Sequence, residues 1–484
     1  MSKNTNYRRG NRRSNNLLKL LIVFLVLIVI FGIGLFVYPK LVKDKDNQNN
    51  NNSTNVEGNG GDNSGDDNNQ PSNPDENVDN SENQPGQSEE DEKKEEITKT
   101  LEEAKVLALG YDYEKAIKQL EAVEGYETIP EIVAAIDSYK TSMESLVEWE
   151  DIGKISHVFF HTLIVDTDKA FDGDASENGY NQVMTTVDEF NKTIKQMYDR
   201  GYVLVSLHDM ASFVENEDGT KTMTKGKIML PEGKIPFVLS QDDVSYYEYM
   251  DGDGFASKLI IGEDGRVTNE MILDDGSVVT GSYDVLPLLE DFIKEHPDFS
   301  YRGARGILAL TGYNGVFGYR TSPSGYADSP TLQADIEKAK EIAEAIKAQG
   351  WEFASHGWGH RDLGSISYSH FQRDTDKWES EVESILGETD ILIYPFGGDI
   401  GDWREYKGDR YKYLTEKGFS YFCNVDGSAQ YWVQLTDDYL RQGRMNIDGI
   451  RMYEDLYGGK KRLAPFIDVE SVFDKARPLP VPSL

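Results

Sequence analysis

Ile235-Pro236-Phe237-Val238-Leu239-Ser240-Gln241-Asp242-Asp243 is an apolar run that ends on two adjacent carboxylates. It reads as a buried strand closed by a polar turn. The segments around it repeat the same unit. His157–His161, Tyr202–Val205, Gly306–Leu310, Trp351–Ser355, Ile391–Pro395 and Phe419–Val425 are further apolar strand candidates. Between them, Val187–Arg200, Tyr283–Lys294, Ala334–Gln349 and Thr375–Leu386 carry helical periodicity. Strand and helix in alternation imply an α/β fold with a parallel sheet, and the number of units predicts a closed or nearly closed, distorted (β/α) barrel over 151–455. Residues 245–282, rich in Asp and Gly, read as an insertion on the face where strand 235–243 ends, and 456–484 as a C-terminal extension with a loose, Pro-rich tail.

In a parallel α/β barrel the reactive groups collect at the C-terminal ends of the strands. Three strand ends here carry them: Asp242-Asp243, Ser355-His356-Gly357-Trp358-Gly359-His360, and Tyr394-Pro395-Phe396-Gly397-Gly398. His356 and His360 are four residues apart, so one helical turn or a tight loop brings both rings to one ion. Two neutral imidazoles and a carboxylate, with positions left for water, form the usual ligand set of a catalytic divalent metal. An H-x-x-x-H spacing alone is a modest signal, because surface helices produce it by chance; here it follows a strand directly. Adjacent carboxylates repel one another, and a metal relieves that repulsion. Asp243 on the ion leaves Asp242 free to take a proton. The plainer reading, an Asp-Asp turn, suits Asp274-Asp275 and Asp437-Asp438 better than a pair that closes an apolar strand.

The N-terminal region reads differently. Leu20–Val37 is an uncharged apolar run, long enough to cross a bilayer as a helix, and Arg8, Arg9, Arg12 and Arg13 precede it. The positive-inside rule then divides the chain into a cytoplasmic tail (1–16), a single membrane-spanning helix (17–38) and an extracellular remainder. A cleaved signal peptide is the alternative, but the apolar run is long for one and ends in Val37-Tyr38-Pro39-Lys40, with no small-residue cleavage site. Residues 39–92 are Asn-, Asp- and Ser-rich, with almost no large apolar side chain, and are expected to be a disordered acidic tether. Over 93–150, Ile97, Leu101, Ala104, Leu107, Ala116, Ile117, Leu120, Ile132, Ala135, Ile136 and Tyr139 recur at helical spacing. Three helices result, resembling a single tetratricopeptide pair. They act as a spacer packed on the barrel or as a surface for a protein partner, and the spacer is the preferred reading.

The net charge of −35 repels polyphosphate and argues against nucleic acid as a ligand. It suits a neutral substrate or a cationic product. Cys423 is the only cysteine, which excludes an intrachain disulfide; its apolar setting makes it a buried core residue.

Taken together, the Asp-Asp pair after a strand, the His-x-x-x-His segment and the Tyr394-Pro395-Phe396-Gly397 loop resemble the polysaccharide deacetylase family (the NodB-homology domain, carbohydrate esterase family 4). The resemblance covers roughly 155–450. It implies that Asp242 is the general base, and that Asp243, His356 and His360 hold a divalent ion, zinc first, with cobalt or nickel as alternatives. Tyr394, Pro395, Phe396 and Gly397 would line the substrate groove, with the Phe396 backbone N–H on the oxyanion. Two departures stand out. Ile393 occupies the position of the family's arginine, which braces the base. No histidine follows His370 to serve as the acid. The opening His161-Thr162-Leu163-Ile164 segment resembles the permuted poly-N-acetylglucosamine deacetylase branch, which implies that His161 supplies the acid and suggests Arg444 as the brace. The implied activity is removal of N-acetyl groups from N-acetylglucosamine-containing glycan, peptidoglycan or exopolysaccharide, at a Gram-positive cell surface. O-acetyl esterase activity, or glycan binding without catalysis, are the alternatives.

Overall fold

The computed structural model describes residues 89–483. The predicted tail, membrane-spanning helix and nearly all of the tether lie outside the described residues. Within them, no helix is long and apolar enough to cross a membrane.

Eight strands build the main sheet's parallel framework: β1 (Ser156–Phe160), β2 (Tyr202–Leu204), β3 (Ile235–Asp242), β4 (Ile307–Leu310), β5 (Glu352–Ser355), β6 (Ile391–Ile393), β7 (Tyr421–Val425) and β8 (Leu440–Asn446). They follow the order β4-β5-β6-β7-β8-β1-β3, and β3 pairs back onto β4, which closes a parallel barrel. The predicted barrel is therefore present. Its distortion lies at β3, which uses one edge twice. Ile235–Phe237 pairs with β2, and Ser240–Asp242 pairs with β4. β2 is thus wedged into the wall near the N-terminal end.

Side chains alternate along each strand. Ile155, Val238, Ile307, Ala309, Ile391, Ile393, Tyr421, Cys423 and Leu440 form one buried cluster, and Cys423 is free and buried, as its apolar setting predicted. Val158, Phe160, Phe237, Leu239, Leu308, Leu310, Leu392 and Phe422 face the other way, into the layer of packed helices. Toward the C-terminal end the first set turns polar: His157, Ser240, Asp242, Gln442 and Arg444 are all buried. That is unusual inside a barrel, because each such group needs a partner.

The helices follow the periodicity with shifted ends. Val187–Asp199 begins at a capping box, in which Thr186 Oγ1 accepts from the Glu189 N–H and the Glu189 carboxylate accepts from the Thr186 N–H. The helix predicted at Thr375–Leu386 starts earlier, at Tyr368. Its buried stripe of Phe371, Thr375 and Trp378 opens with a residue outside the predicted span. The insertion after β3 folds as a three-stranded antiparallel sheet, Lys258–Ile261, Val267–Ile272 and Val278–Gly281.

The N-terminal helices are α1 (Glu89–Leu109), α2 (Tyr113–Glu121) and α3 (Pro130–Glu144). They pack around Ala104, Ala116, Leu120, Ile132 and Ile136. α1 begins inside the segment assigned to the tether, since Glu and Lys are good helix formers even without apolar neighbours. The helices bond to the barrel domain: Arg302 N–H donates to Gly110 O at 2.7 Å, and the Tyr111 hydroxyl donates to Asp298 O at 2.8 Å.

The C-terminal tail is a correction. It is not loose, because the Arg477 side chain is fully buried against Glu189. Its Nε and Nη2 each donate to the carboxylate at 2.6 Å, and Nη2 also reaches Met184 O. A single arginine among prolines gives no sign of this anchor in the sequence.

Candidate metal centre

Two loops leaving strand ends bring the predicted ligands together. One ligand atom each from Asp243, His356 and His360 lies within 4.8 Å of the others. Asp243 follows β3 with φ +62°, which turns its side chain away from the strand's alternation. His356 follows β5, and the chain to His360 is a tight loop rather than a helical turn. The Asp374 carboxylate shapes that loop by accepting from the Trp358 and Gly359 N–H groups at 2.8 and 2.9 Å. Gly357 is required there: its φ is +65°, and an added Cβ would stand 2.9 Å from Asp374 Oδ2. His360 and Phe396 also hold left-handed backbone, with φ +48° and +58°. Each such residue costs about 1–3 kcal/mol, and strain of this kind collects at functional sites.

The ligands' outer atoms are held in place. His356 Nδ1 lies 2.8 Å from Ile393 O. A carbonyl only accepts, so Nδ1 carries the proton and Nε2 keeps its lone pair for the cluster. The Tyr247 hydroxyl donates to Asp243 Oδ1 at 2.5 Å and bonds Thr311 Oγ1 at 2.8 Å. Asp243 Oδ2 lies 3.6 Å from His360 Nε2. Burial, together with the neighbouring His356, pulls His360 down to about 4, so its ring is neutral and able to ligate near pH 7. Two imidazole nitrogens and a carboxylate oxygen converging on one point are the donor set that a divalent ion takes.

Asp242 is not in that set. It is buried, and Arg444 grips it with two bonds, Nη1 to Oδ1 at 2.7 Å and Nη2 to Oδ2 at 2.8 Å. Burial alone would raise its pKa, but Arg444 and His356 outweigh burial and hold it well below the usual carboxylate range. Behind Arg444 runs a hydrogen-bond chain whose direction is fixed. Gln442 Nε2 donates to Ile155 O at 2.9 Å, which leaves Gln442 Oε1 to accept from His157 Nδ1 at 3.1 Å. His157 Nε2 then accepts from the Ser240 hydroxyl at 2.9 Å, and Ser240 Oγ accepts from Arg444 Nη1 at 3.0 Å. Burial and the charge of Arg444 push His157 well below its ordinary pKa, which agrees with this neutral, single-proton form. The Arg444 plane also lies over the Phe159 ring, 4.1 Å from its centroid.

The other predicted residues divide. His161 lies just past β1, half-buried and within electrostatic reach of Asp242, Asp243 and His360. Its Nδ1 is 3.1 Å from Val183 O and so bears the proton, leaving Nε2 as the exchanging atom. Pro395 is buried, while Phe396 is 66% exposed, with its ring 4.4 Å from that of His360. Gly397 is pinned by close approach to Val425. Tyr394 does not face the groove. It is fully buried and stacks on Phe422, because it continues the outward alternation of β6. Sequence reading missed Tyr247, Ser240, Gln442 and the structural part played by His157. The available signal was Leu440-Arg441-Gln442-Gly443-Arg444, two arginines in a run that must be buried and paired.

Residues 330–417 match the family model described as polysaccharide deacetylase. No curated protein matches the chain. Among solved structures, the Streptococcus pyogenes deacetylase PplD in complex with acetate aligns at 13% identity and a TM-score of 0.32, over 63% of this chain and 94% of that one. The putative polysaccharide deacetylase BA0330 from Bacillus anthracis aligns at 12% identity and a TM-score of 0.31, over 62% and 65%. The segment that is similar to the polysaccharide deacetylase family, residues 330–417, holds both histidines of the cluster and the strand end that carries Pro395 and Phe396.

Proposed function

We propose that this protein is a divalent-metal-dependent hydrolase that removes N-acetyl groups from N-acetylglucosamine-containing glycan. The observation that carries this reading is an ionised, doubly braced carboxylate, Asp242, beside the Asp243–His356–His360 cluster. A divalent ion held by those three, with zinc as the first choice and cobalt or nickel as alternatives, would supply Lewis acidity at the acyl group.

The chain's own residues account for the proton movements. Asp242 Oδ2 accepts a proton from the attacking water, whose oxygen adds to the acyl carbon. Arg444 keeps Asp242 in one orientation while its charge changes. The backbone N–H of Phe396 is assigned to the developing oxyanion. His161 Nε2 gives a proton to the departing amine, as in the permuted branch, and acetate and a free amino sugar result. Ile393, where the family has an arginine, is the ground for the non-catalytic alternative; Arg444 places a guanidinium on Asp242 from another strand and weakens that alternative.

The site is assigned to the cell exterior, with residues 17–38 as the membrane anchor and the acidic tether giving it reach. Acetate release from N-acetylglucosamine oligomers tests the activity. Asp242→Asn is expected to lower the rate about 10²–10⁴-fold while leaving bound metal in place. Full activity in that variant contradicts the assignment.

A further inference from the structure

The insertion after β3 builds a feature that the proton chemistry does not use. Tyr249, Tyr247 and Tyr313 form a ladder of nearly parallel rings. Tyr247 lies 5.2 Å from Tyr249 at 12° and 5.1 Å from Tyr313 at 14°. The ladder is fixed to the metal-binding cluster through Tyr247, whose hydroxyl donates to Asp243. The outer ring is open to solvent, with Tyr249 59% exposed.

A single exposed tyrosine is ordinary. Here, though, a second exposed ring, Phe396, stands against another member of the cluster, His360. One open aromatic ring therefore adjoins a ligand residue directly, and the other reaches a second ligand residue through Tyr247. Sugar rings suit such faces, because a pyranose presents a C–H face that packs on an aromatic ring while its hydroxyls stay in water at the rim. A neutral sugar also avoids the repulsion that this acidic protein exerts on anions.

We propose that Tyr249 is the stacking face of a pyranose subsite next to the reacting sugar, so that the substrate is an oligomer or polymer rather than a single sugar. This rests on the deacetylase reading. The ladder carries it: Tyr313 backs Tyr247, Tyr247 backs Tyr249, and the stack is pre-ordered before glycan arrives, which lowers the entropy cost of binding.

N-acetylglucosamine and its oligomers are the probes. Tyr249→Ala is expected to raise KM for oligomers about five- to tenfold, with a much smaller rise for the monosaccharide and with wild-type metal content. Tyr249→Trp should restore oligomer KM. An unchanged oligomer KM in Tyr249→Ala overturns the proposal, and so does an equal rise for monosaccharide and oligomer. Calorimetric binding of an oligomer to the Asp242→Asn variant, with and without Tyr249→Ala, reads the subsite without turnover. Weakened binding supports it, and equal affinity or no binding overturns it. Oligomer binding that depends on Tyr249 in a wild-type protein that releases no acetate would overturn the deacetylase reading and leave the subsite standing.

Discussion

The two ends of the barrel use the same residue types to opposite effect. At the N-terminal end, His208 sits between two carboxylates. Its Nδ1 meets Glu352, and its Nε2 lies 3.2 Å from Asp390 Oδ1, with the ring packed on Tyr421. Both ring nitrogens are taken, as are Glu352's oxygens, which also accept from the Ser206 hydroxyl. At the C-terminal end, the histidine nitrogens that face one another are spaced for an ion rather than for a protein donor. Backbone strain gathers there as well, at Asp243, His360 and Phe396. A histidine–carboxylate cluster whose bonds close on themselves is a clasp. One whose outer atoms are fastened while its inner atoms converge on a point is a ligand set.

This contrast can be broken at its strongest joint. Arg444 and Asp242 are a buried pair, with side chains 0% and 4% exposed. Removing one partner strands the other charge and costs about 3–5 kcal/mol. Arg444→Met should therefore shift the denaturation midpoint strongly and reduce acetate release as well. A variant of near wild-type stability would show that Asp242 does not depend on its brace.

The clasp should respond far less, and in a different pH range. Hydrogen bonds to Asp390 and Glu352 overcome burial and raise His208 to about 10. A raised folded-state pKa stabilises fully below the free histidine value of about 6.5. That stability is lost as pH rises through about 10. His208 is 40% exposed, so solvent screening limits the effect to about 1 kcal/mol or less. His208→Gln should lower stability slightly at mildly acidic pH, and the difference should vanish toward pH 10, without altering acetate release. A constant deficit across the range would mean the clasp is packing rather than charge.

Much of this was legible in the sequence, because strands that end on reactive residues leave a local mark. Asp242-Asp243 after an apolar run and His356 after β5 are such marks, and the alternation of strand and helix implied the closed barrel. The wedge of β2 was not legible, since pairing one edge of β3 with two strands leaves no periodicity of its own. Nor was the Arg444–Ser240–His157–Gln442 chain, which joins three strands that are distant in sequence. Tyr394 misled because its place in a motif loop conceals its outward alternation. Tyr247 was hidden among the many aromatic and acidic residues of 245–253; only the fold brings it to Asp243.

The most direct test of the metal centre is the metal content of the purified protein after dialysis against trace divalent ion. Wild type and His208→Gln should retain one equivalent per chain, while Asp243→Ala and His360→Ala should retain almost none. Equal retention in His360→Ala, or loss in His208→Gln alone, would contradict the assignment of the ion to Asp243, His356 and His360.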